Sequence, residues 1–213
     1  MTLEATLPSI SPRAIPGRLY ATVIAADVAI LATSFACWGT GADGLLHAAR
    51  YTARLSFLIF LAPFLASSLV YWFPSPMTRW MRARRRHLGL SFALAHFVHL
   101  TALTGFSVVS GEMPGMVTLF GGGGAYVLIA LMALTSNDWS VRKLGTKAWG
   151  WLHWIGLYDI WLIFTFSYFG RVTKDAPQEP RVIYVVLFAL AVAALLLRIA
   201  TRIARQRGKP RTC

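Results

Sequence analysis

Six long apolar stretches follow one another along the chain, and short polar segments separate them. Each stretch is close to the roughly 20 residues that an α-helix needs to cross about 30 Å of hydrocarbon. The pattern therefore predicts six membrane-spanning helices, at about residues 19–38, 51–73, 88–110, 119–135, 149–170 and 181–200. The fourth is the shortest and opens on a run of glycines at 121–124, which we interpret as a flexible entry or a close-packing site.

The composition supports a membrane protein over a soluble one. Of the 213 residues, 56% are hydrophobic and 14% are charged, and the mean hydropathy is +0.57. One soluble core cannot bury that much apolar surface, so we predict an all-α integral membrane protein with a six-helix bundle. The connections are short and hold no Walker motif, no C-x-x-C and no G-x-G-x-x-G that follows a strand, so nucleotide chemistry is expected from another chain.

The basic residues predict how the bundle is oriented. Lys and Arg near membrane-helix ends are retained in the cytoplasm. Of the 21 basic residues, 16 fall in the two tails and in the second-to-third and fourth-to-fifth connections, when Arg198 at the end of the last helix is counted with the C-terminal tail. We therefore expect both termini in the cytoplasm. The predicted domains are an N-terminal tail at 1–18, a membrane domain at 19–200 and a basic tail at 201–213. The membrane is expected to be the lipid bilayer of a bacterial inner membrane. Topology accounts for the net charge of +13, so no nucleic-acid partner is expected.

The two cysteines are expected on opposite sides of the membrane. Cys37 lies at the outer end of the first predicted helix, and Cys213 lies in the C-terminal tail. Thiols so far apart cannot form a disulfide within one chain, so we predict none.

A few ionisable residues lie inside the predicted spans, where they are costly and therefore mark candidate functional sites. They are Asp27 in the first helix, His96 and His99 in the third, and His153 and Asp159 in the fifth. At about 100° per residue, His96 and His99 lie within about 60° of each other and can face the bundle interior together. His87 lies at the cytoplasmic edge of the same helix, about 18 Å below His99. His47, in the first outer loop, is expected to be solvated.

The intramembrane histidines allow two interpretations. A neutral imidazole is a good axial ligand for b-type haem, and a porphyrin fits between the helices of a bundle. Histidines also form hydrogen bonds between neighbouring membrane helices and so help them to pack. The spacing alone leaves both interpretations open.

Two motifs stand near the starts of the third and fifth predicted helices. The first consists of Arg85, Arg86, Leu88, Gly89 and His99, and the second of Leu144, Gly145, Trp149, Leu152, His153 and Tyr158. Both resemble the ferric reductase-like transmembrane family, which includes ferric reductases, NADPH oxidases and the haem-binding membrane subunit of a bacterial methionine sulfoxide reductase system. The resemblance implies a six-helix domain that passes electrons across the membrane through b-type haem.

The ligands that the resemblance implies carry over only in part. His153 matches the family's inner ligand on the fifth helix, and His99 matches the outer ligand on the third. Phe166 stands thirteen residues after His153, in place of the family's second histidine, and Arg85 stands in place of the inner third-helix ligand. Tyr168 or Ser167 could replace the missing outer ligand, but a tyrosinate in that role would favour ferric haem and suit electron transfer poorly. The chain thus keeps one histidine of each family pair.

Three interpretations follow from these departures. One haem could bind His153 together with His99 or His96. His87 could instead pair with His153 on the cytoplasmic side, or the chain could be haem-free. We predict one haem b, with His99 and His153 as axial ligands of the iron and with His96 and His87 as the alternative cofactor-binding residues.

The electron partners are expected to be separate molecules. A soluble flavin reductase or the quinol pool would donate electrons, and a periplasmic acceptor would receive them. Arg82 and residues 84–86 form a basic patch that serves as a topology anchor or as a docking site for an acidic donor. The alternative function is that of a haem-free six-helix protein with a role in packing, assembly or transport.

Overall fold

The computed structural model describes residues 14–113, 115, 116, 118–174 and 179–207, and these are almost entirely helical. The α-helices are α1 (Ala14–Trp38), α2 (Ala42–Trp72), α3 (Pro76–Ala83), α4 (Arg85–Ser110), α5 (Gly123–Leu134), α6 (Asp138–Val172) and α7 (Arg181–Arg207). A π-helical turn, Thr118–Gly122, leads into α5. The described part of the chain contains no β-strand, so the all-α prediction is confirmed. Residues 1–13 of the predicted tail and Cys213 lie outside the described residues.

Among the described residues, four helical segments are long and apolar enough to cross a membrane, which confirms an integral membrane protein. They are Gly17–Trp38, Ala42–Trp72, Arg85–Ser110 and Arg181–Arg207. Leu119–Leu134 and α6 meet the same criterion only as a pair bent by 118°, which gives five spans if the pair is one. Six spans and the orientation of the termini therefore stay predictions. His153, Asp159 and several tryptophans within α6 lower its hydropathy, although at 35 residues the helix is long enough to cross.

The first connection is shorter than predicted, because α2 begins at Ala42 and not at residue 51. Gly44 allows this tight turn: a Cβ there would lie 1.8 Å from the carbonyl oxygen of Gly39, which itself has a φ of +75°. His47 consequently lies on α2 and not in a loop, and its ring stacks on Trp38 with 4.0 Å between centroids. The expectation of a solvated loop histidine was therefore wrong.

The basic connection after α2 contains the short helix α3. Ser75 caps it, since the Ser75 hydroxyl accepts from the Thr78 amide at 3.2 Å and the Thr78 hydroxyl accepts from the Ser75 amide at 2.9 Å. This reciprocal capping box is typical of helix N-termini. Arg79 and Arg82 are therefore presented on a helix and not on an irregular loop.

Helix α6 also begins earlier than predicted, at Asp138 and not at residue 149. The Asn137 side chain caps it by accepting from the Ser140 amide at 2.8 Å. Gly145 then interrupts the helix with φ 77° and ψ 152°, a conformation that residues with a Cβ rarely adopt. The part before this kink is a separate polar turn, and the apolar part after it enters the bundle.

The glycine run does not pack against another helix. Residues 118–122 form the π-helical turn, and nothing lies within 4 Å of the place where a Cβ would sit on any glycine at 121–124. Close packing occurs instead at Gly156 of α6, where a Cβ would lie 2.1 Å from the Met132 sulfur of α5. The close-packing interpretation was therefore placed on the wrong glycines.

Phenylalanines fill the centre of the bundle. Phe57, Phe60 and Phe64 of α2 meet Phe92 of α4 and Phe164 of α6, and all five are buried. The Phe60 and Phe92 rings are 5.3 Å apart, and the Phe57 and Phe164 rings are 5.1 Å apart. Tilted aromatic pairs at such distances stabilise beyond their buried area. This cluster fixes the relative depth of α2, α4 and α6.

Charged contacts join helix ends that were predicted to share one side of the membrane. At the predicted inner end, Arg86 of α4 donates to Asp138 of α6 at 2.7 Å. At the other end, Arg54 of α2 pairs with Glu179, whose carboxylate also accepts from the Tyr184 hydroxyl. Burial by itself would raise the pKa of Glu179, but this hydroxyl and the nearby guanidinium groups lower it below its usual value.

Candidate functional site

A cavity of about 440 Å³ lies between α2, α4, α5, α6 and α7 at their predicted inner ends, and we call it the inner cavity. Its wall is largely apolar and includes Phe60, Phe92, Ile129, Leu157 and Ile160. Its polar lining includes His153 and the arginines Arg85, Arg86 and Arg198. Cofactor sites are typically concave, mostly apolar and roughly 300–1,000 Å³ in volume, with a few polar groups. The inner cavity has these properties.

His153 is the only one of the four predicted ligand histidines that lines this cavity. Its Nε2 atom is buried and has no hydrogen-bond partner in the described structure. Its ring lies 4.0 Å from that of Trp149, one turn earlier on α6. Trp149 is held in turn, because its Nε1 donates to the Thr135 carbonyl at 2.9 Å. An unsatisfied imidazole nitrogen beside a cavity is free to bind a metal.

Two arginines bring positive charge to the cavity wall. Arg85 Nε donates to the Pro63 carbonyl of α2 at 3.0 Å. Arg198 donates to the Phe64 carbonyl and lies 4.3 Å from the centroid of the Phe64 ring. From the sequence, Arg198 was expected only to help orient the last helix in the membrane. Its position inside the stretch at 181–200 was a signal that it serves the interior, because charges within spans usually face the bundle.

His96 lies further along α4, towards the predicted outer end of the bundle, and packs against residues of neighbouring helices. Its Nδ1 is 2.9 Å from the Ser56 hydroxyl of α2. Its ring stacks on Tyr126 at 4.8 Å and on Phe92 at 5.2 Å, both between centroids. For this histidine, the structure favours helix packing over ligation.

His99 lies next to His96, with 5.2 Å between the ring centroids, so the predicted common face is confirmed. The Nδ1 of His99 is buried without a hydrogen-bond partner in the described structure. The same is true of the Tyr168 hydroxyl on α6, which is one turn outward from Phe164. Since α4 and α6 run in the same direction, His99 and Tyr168 are at similar depth, and we call this the outer level.

The structure does not bring His99 and His153 together. The His96 ring is 5.4 Å from the Phe164 ring, and this contact gives the depth of the outer level on α6. His153 precedes Phe164 by eleven residues on α6, which corresponds to about 16 Å along the axis. Both axial ligands of one haem must lie at the depth of its iron. In this arrangement His99 and His153 serve different levels.

His87 is directed elsewhere. The Tyr20 hydroxyl of α1 is 2.9 Å from His87 Nδ1, so this histidine joins α1 to α4. It does not line the inner cavity. The structure therefore does not bring His87 to His153 either.

Two further positions singled out in the sequence, Asp27 and Phe166, have contrasting surroundings: one is buried and the other is exposed. Asp27 of α1 is 1% exposed, and neither carboxylate oxygen has a hydrogen-bond partner among the described residues. Phe166, where the family resemblance implied a histidine, is 64% exposed and points away from the core. A histidine at position 166 would not reach the inner cavity or the outer level in this arrangement.

Curated relatives match part of this chain. Among them are the protein-methionine-sulfoxide reductase heme-binding subunits MsrQ of Brucella ovis, Brucella canis and Brucella abortus, each 35% identical over 119 residues. Over about half of its length, the chain is similar to MsrQ. The match covers 53% of this chain, and the chain spans about half the length of the MsrQ proteins it matches, at 50% of each. No family model and no solved structure matches the chain.

The relationship to MsrQ confirms the resemblance inferred from the two motifs. Both motifs contribute to the inner cavity: Arg85, Arg86 and Gly89 line it from α4, and Trp149 and His153 line it from α6. Residues far apart in the chain thus meet at one place. The inner cavity is the candidate functional site.

Proposed function

We propose that this chain is a membrane-embedded electron-transfer subunit that binds b-type haem in the inner cavity, with His153 as an axial ligand. The observation that carries the proposal is the buried, unbonded Nε2 of His153 on the wall of an apolar cavity of about 440 Å³. The haem-binding name of the MsrQ relatives supports it. When bound, haem supplies an iron that is reduced and oxidised one electron at a time.

The residues around His153 suit such a group. The apolar wall excludes water from the cavity, and Trp149 holds the imidazole ring in one orientation. Arg85 and Arg198 supply positive charge for carboxylates at the edge of a porphyrin. These are features that a haem pocket in a helix bundle requires.

His99, the other predicted axial ligand, is proposed as a ligand at the outer level and not as the partner of His153. Its unbonded Nδ1 supports this assignment. A single haem requires only the inner cavity, and a second would use the outer level. The haem-to-protein ratio distinguishes the two cases.

The partners are proposed by analogy with the relatives. MsrQ is by name a subunit of a protein-methionine-sulfoxide reductase, and a reductase of that kind outside the inner membrane is the proposed acceptor. A soluble flavin reductase or membrane quinol is the proposed donor. In this proposal, the inner cavity is the haem-binding part of the path.

The test is the haem content of the full chain, purified in detergent from haem-replete cells. We expect a Soret band, a reduced α band, and a pyridine haemochrome of the b type. The His153→Ala variant should lose most of its inner-cavity haem, because no other described histidine lines that cavity.

His87→Ala is the matched control, since it removes an imidazole from the same end of the bundle but outside the cavity. It should keep the wild-type haem content. A wild-type protein without haem would refute the proposed function. Unchanged haem content in His153→Ala would refute the ligand assignment alone.

A further inference from the structure

A second, more polar cavity of about 360 Å³ lies beside the inner cavity, and we call it the basic groove. Its cationic residues are Arg85 of α4 and Arg198, Arg202 and Arg205 of α7. Arg85 and Arg198 also line the inner cavity, whereas Arg202 and Arg205 do not. Four guanidinium groups from two helices thus converge on one space.

The positive-inside rule explains why these arginines are at one end of the bundle, but not why they converge. Three of them are anchored on carbonyls of α2: Arg85 on Pro63 at 3.0 Å, Arg198 on Phe64, and Arg205 on Ser67 at 3.0 Å. A guanidinium has five N–H donors, so each anchored arginine keeps donors for a ligand. The anchored side chains form a preorganised set of donors.

The described residues supply the groove with no counter-charge. None of the described residues that line it is acidic. Like charges held close together repel one another, and a bound anion removes that cost. The planar guanidinium fork matches phosphate oxygens in two-point hydrogen bonds, so phosphate is the anion that this set of donors suits best.

The position of the groove indicates where the phosphate comes from. It continues into a shallow hollow lined by Lys147, Trp151, Trp154 and Arg202. Trp151 is 63% exposed and Trp154 is 47% exposed, as expected for tryptophans at a membrane interface. Basic pockets between membrane helices commonly bind the headgroups of anionic lipids. A molecule that diffuses in the membrane plane reaches the hollow directly.

We propose that the basic groove binds the phosphate of an anionic phospholipid, whose acyl chains lie along Trp151 and Trp154. Soluble phosphate compounds share the same phosphate chemistry, but they have no acyl chains that would extend from the groove along the exposed tryptophans. The proposal goes beyond the proposed electron-transfer function and does not depend on haem.

The test is lipid retention by the full chain, measured by native mass spectrometry after release from detergent. The protein is incubated with phosphatidylglycerol, with phosphatidylcholine of the same acyl chains, or with inorganic phosphate. We expect bound phosphatidylglycerol in the wild type and several-fold less phosphatidylcholine. In Arg202→Gln/Arg205→Gln, the fraction with bound phosphatidylglycerol should fall about fivefold or more, as expected from the loss of two charge-assisted contacts.

The control is Arg79→Gln/Arg82→Gln, which removes the same charge from α3 at the same end of the bundle, outside the groove. It should retain phosphatidylglycerol as the wild type does. Equal losses in both double variants, or no loss in the groove variant, would overturn the proposal. So would arginine-dependent binding of inorganic phosphate without retention of the lipid. If the groove double variant does not fold, the single variant Arg202→Gln is compared with Arg79→Gln.

Discussion

Asp27 is a buried carboxyl group that the described structure does not satisfy. It is 1% exposed on α1, and neither of its oxygens accepts or donates a hydrogen bond there. An unpaired charge in such a place is very costly, and even a neutral polar group loses its hydration there. A buried and unsatisfied carboxyl group lowers the stability of the protein, and a functional role is the usual reason for its presence in a membrane helix.

Replacing Asp27 with leucine, whose side chain has the same number and branching of heavy atoms but no polar oxygens, should therefore stabilise the protein by about 1–3 kcal/mol. Thermal unfolding in detergent measures this as a higher midpoint temperature. Thr33→Leu, at an exposed position of the same helix, is the control and should change the midpoint little. A lower midpoint for Asp27→Leu would show that the carboxyl group has a partner in the folded protein.

At the scale of residues, the sequence predicts neighbours on one helix better than pairs on two helices. The three-residue spacing of His96 and His99 was sufficient to predict that they share one face of α4, because helical geometry is fixed. The pairing of His99 with His153 depends on the relative depth of α4 and α6. That depth is set by packing such as the contact of His96 with Phe164, which no spacing reveals.

At the scale of helices, the apolar pattern predicts the buried middle of each helix but not its ends. Helices α2 and α6 begin at Ala42 and Asp138, several residues before the apolar stretches that predicted them. The reason is that helix starts are set by local features such as the Asn137 cap and the absence of a side chain at Gly44, not by hydrophobicity. The hydropathy pattern does not detect these features.

The kink in α6 depends on Gly145, whose φ is 77°. Replacing it with alanine should destabilise the protein by about 1 kcal/mol or more, because a Cβ is strained in this conformation. Thermal unfolding in detergent is again the measurement. Gly170→Ala is the control on the same helix: no atom lies within 4 Å of its Cβ position, so its midpoint should stay level or rise. If Gly145→Ala unfolds no earlier than Gly170→Ala, the kink is not needed.

At the scale of the whole molecule, the charge pattern predicts an orientation that the contacts agree with but do not test. The Arg86–Asp138 and Arg54–Glu179 contacts group the helix ends into two sets. Which set faces the cytoplasm depends on retention of basic residues during insertion, and that is a property of the membrane and not of the fold. The orientation therefore needs its own measurement.

Thiol labelling in intact cells supplies it, with one variant for each cysteine. In Cys213→Ser, the remaining Cys37 is exposed at the end of α1, and a membrane-impermeant maleimide should label it from outside. In Cys37→Ser, the remaining Cys213 should react only after the cells are opened. The opposite result for the pair would invert the orientation and the inner and outer names used above.

Arg85 and Arg198 line both the inner cavity and the basic groove, so the two spaces share their cations. An anion bound in the inner cavity or in the basic groove partly neutralises these two guanidinium groups. A second anion in the other cavity then binds more weakly. Thermodynamic linkage makes this antagonism reciprocal: each ligand lowers the affinity for the other by the same factor. The affinity of the chain for its prosthetic group would then vary with the fraction of charged lipid in the bilayer around it.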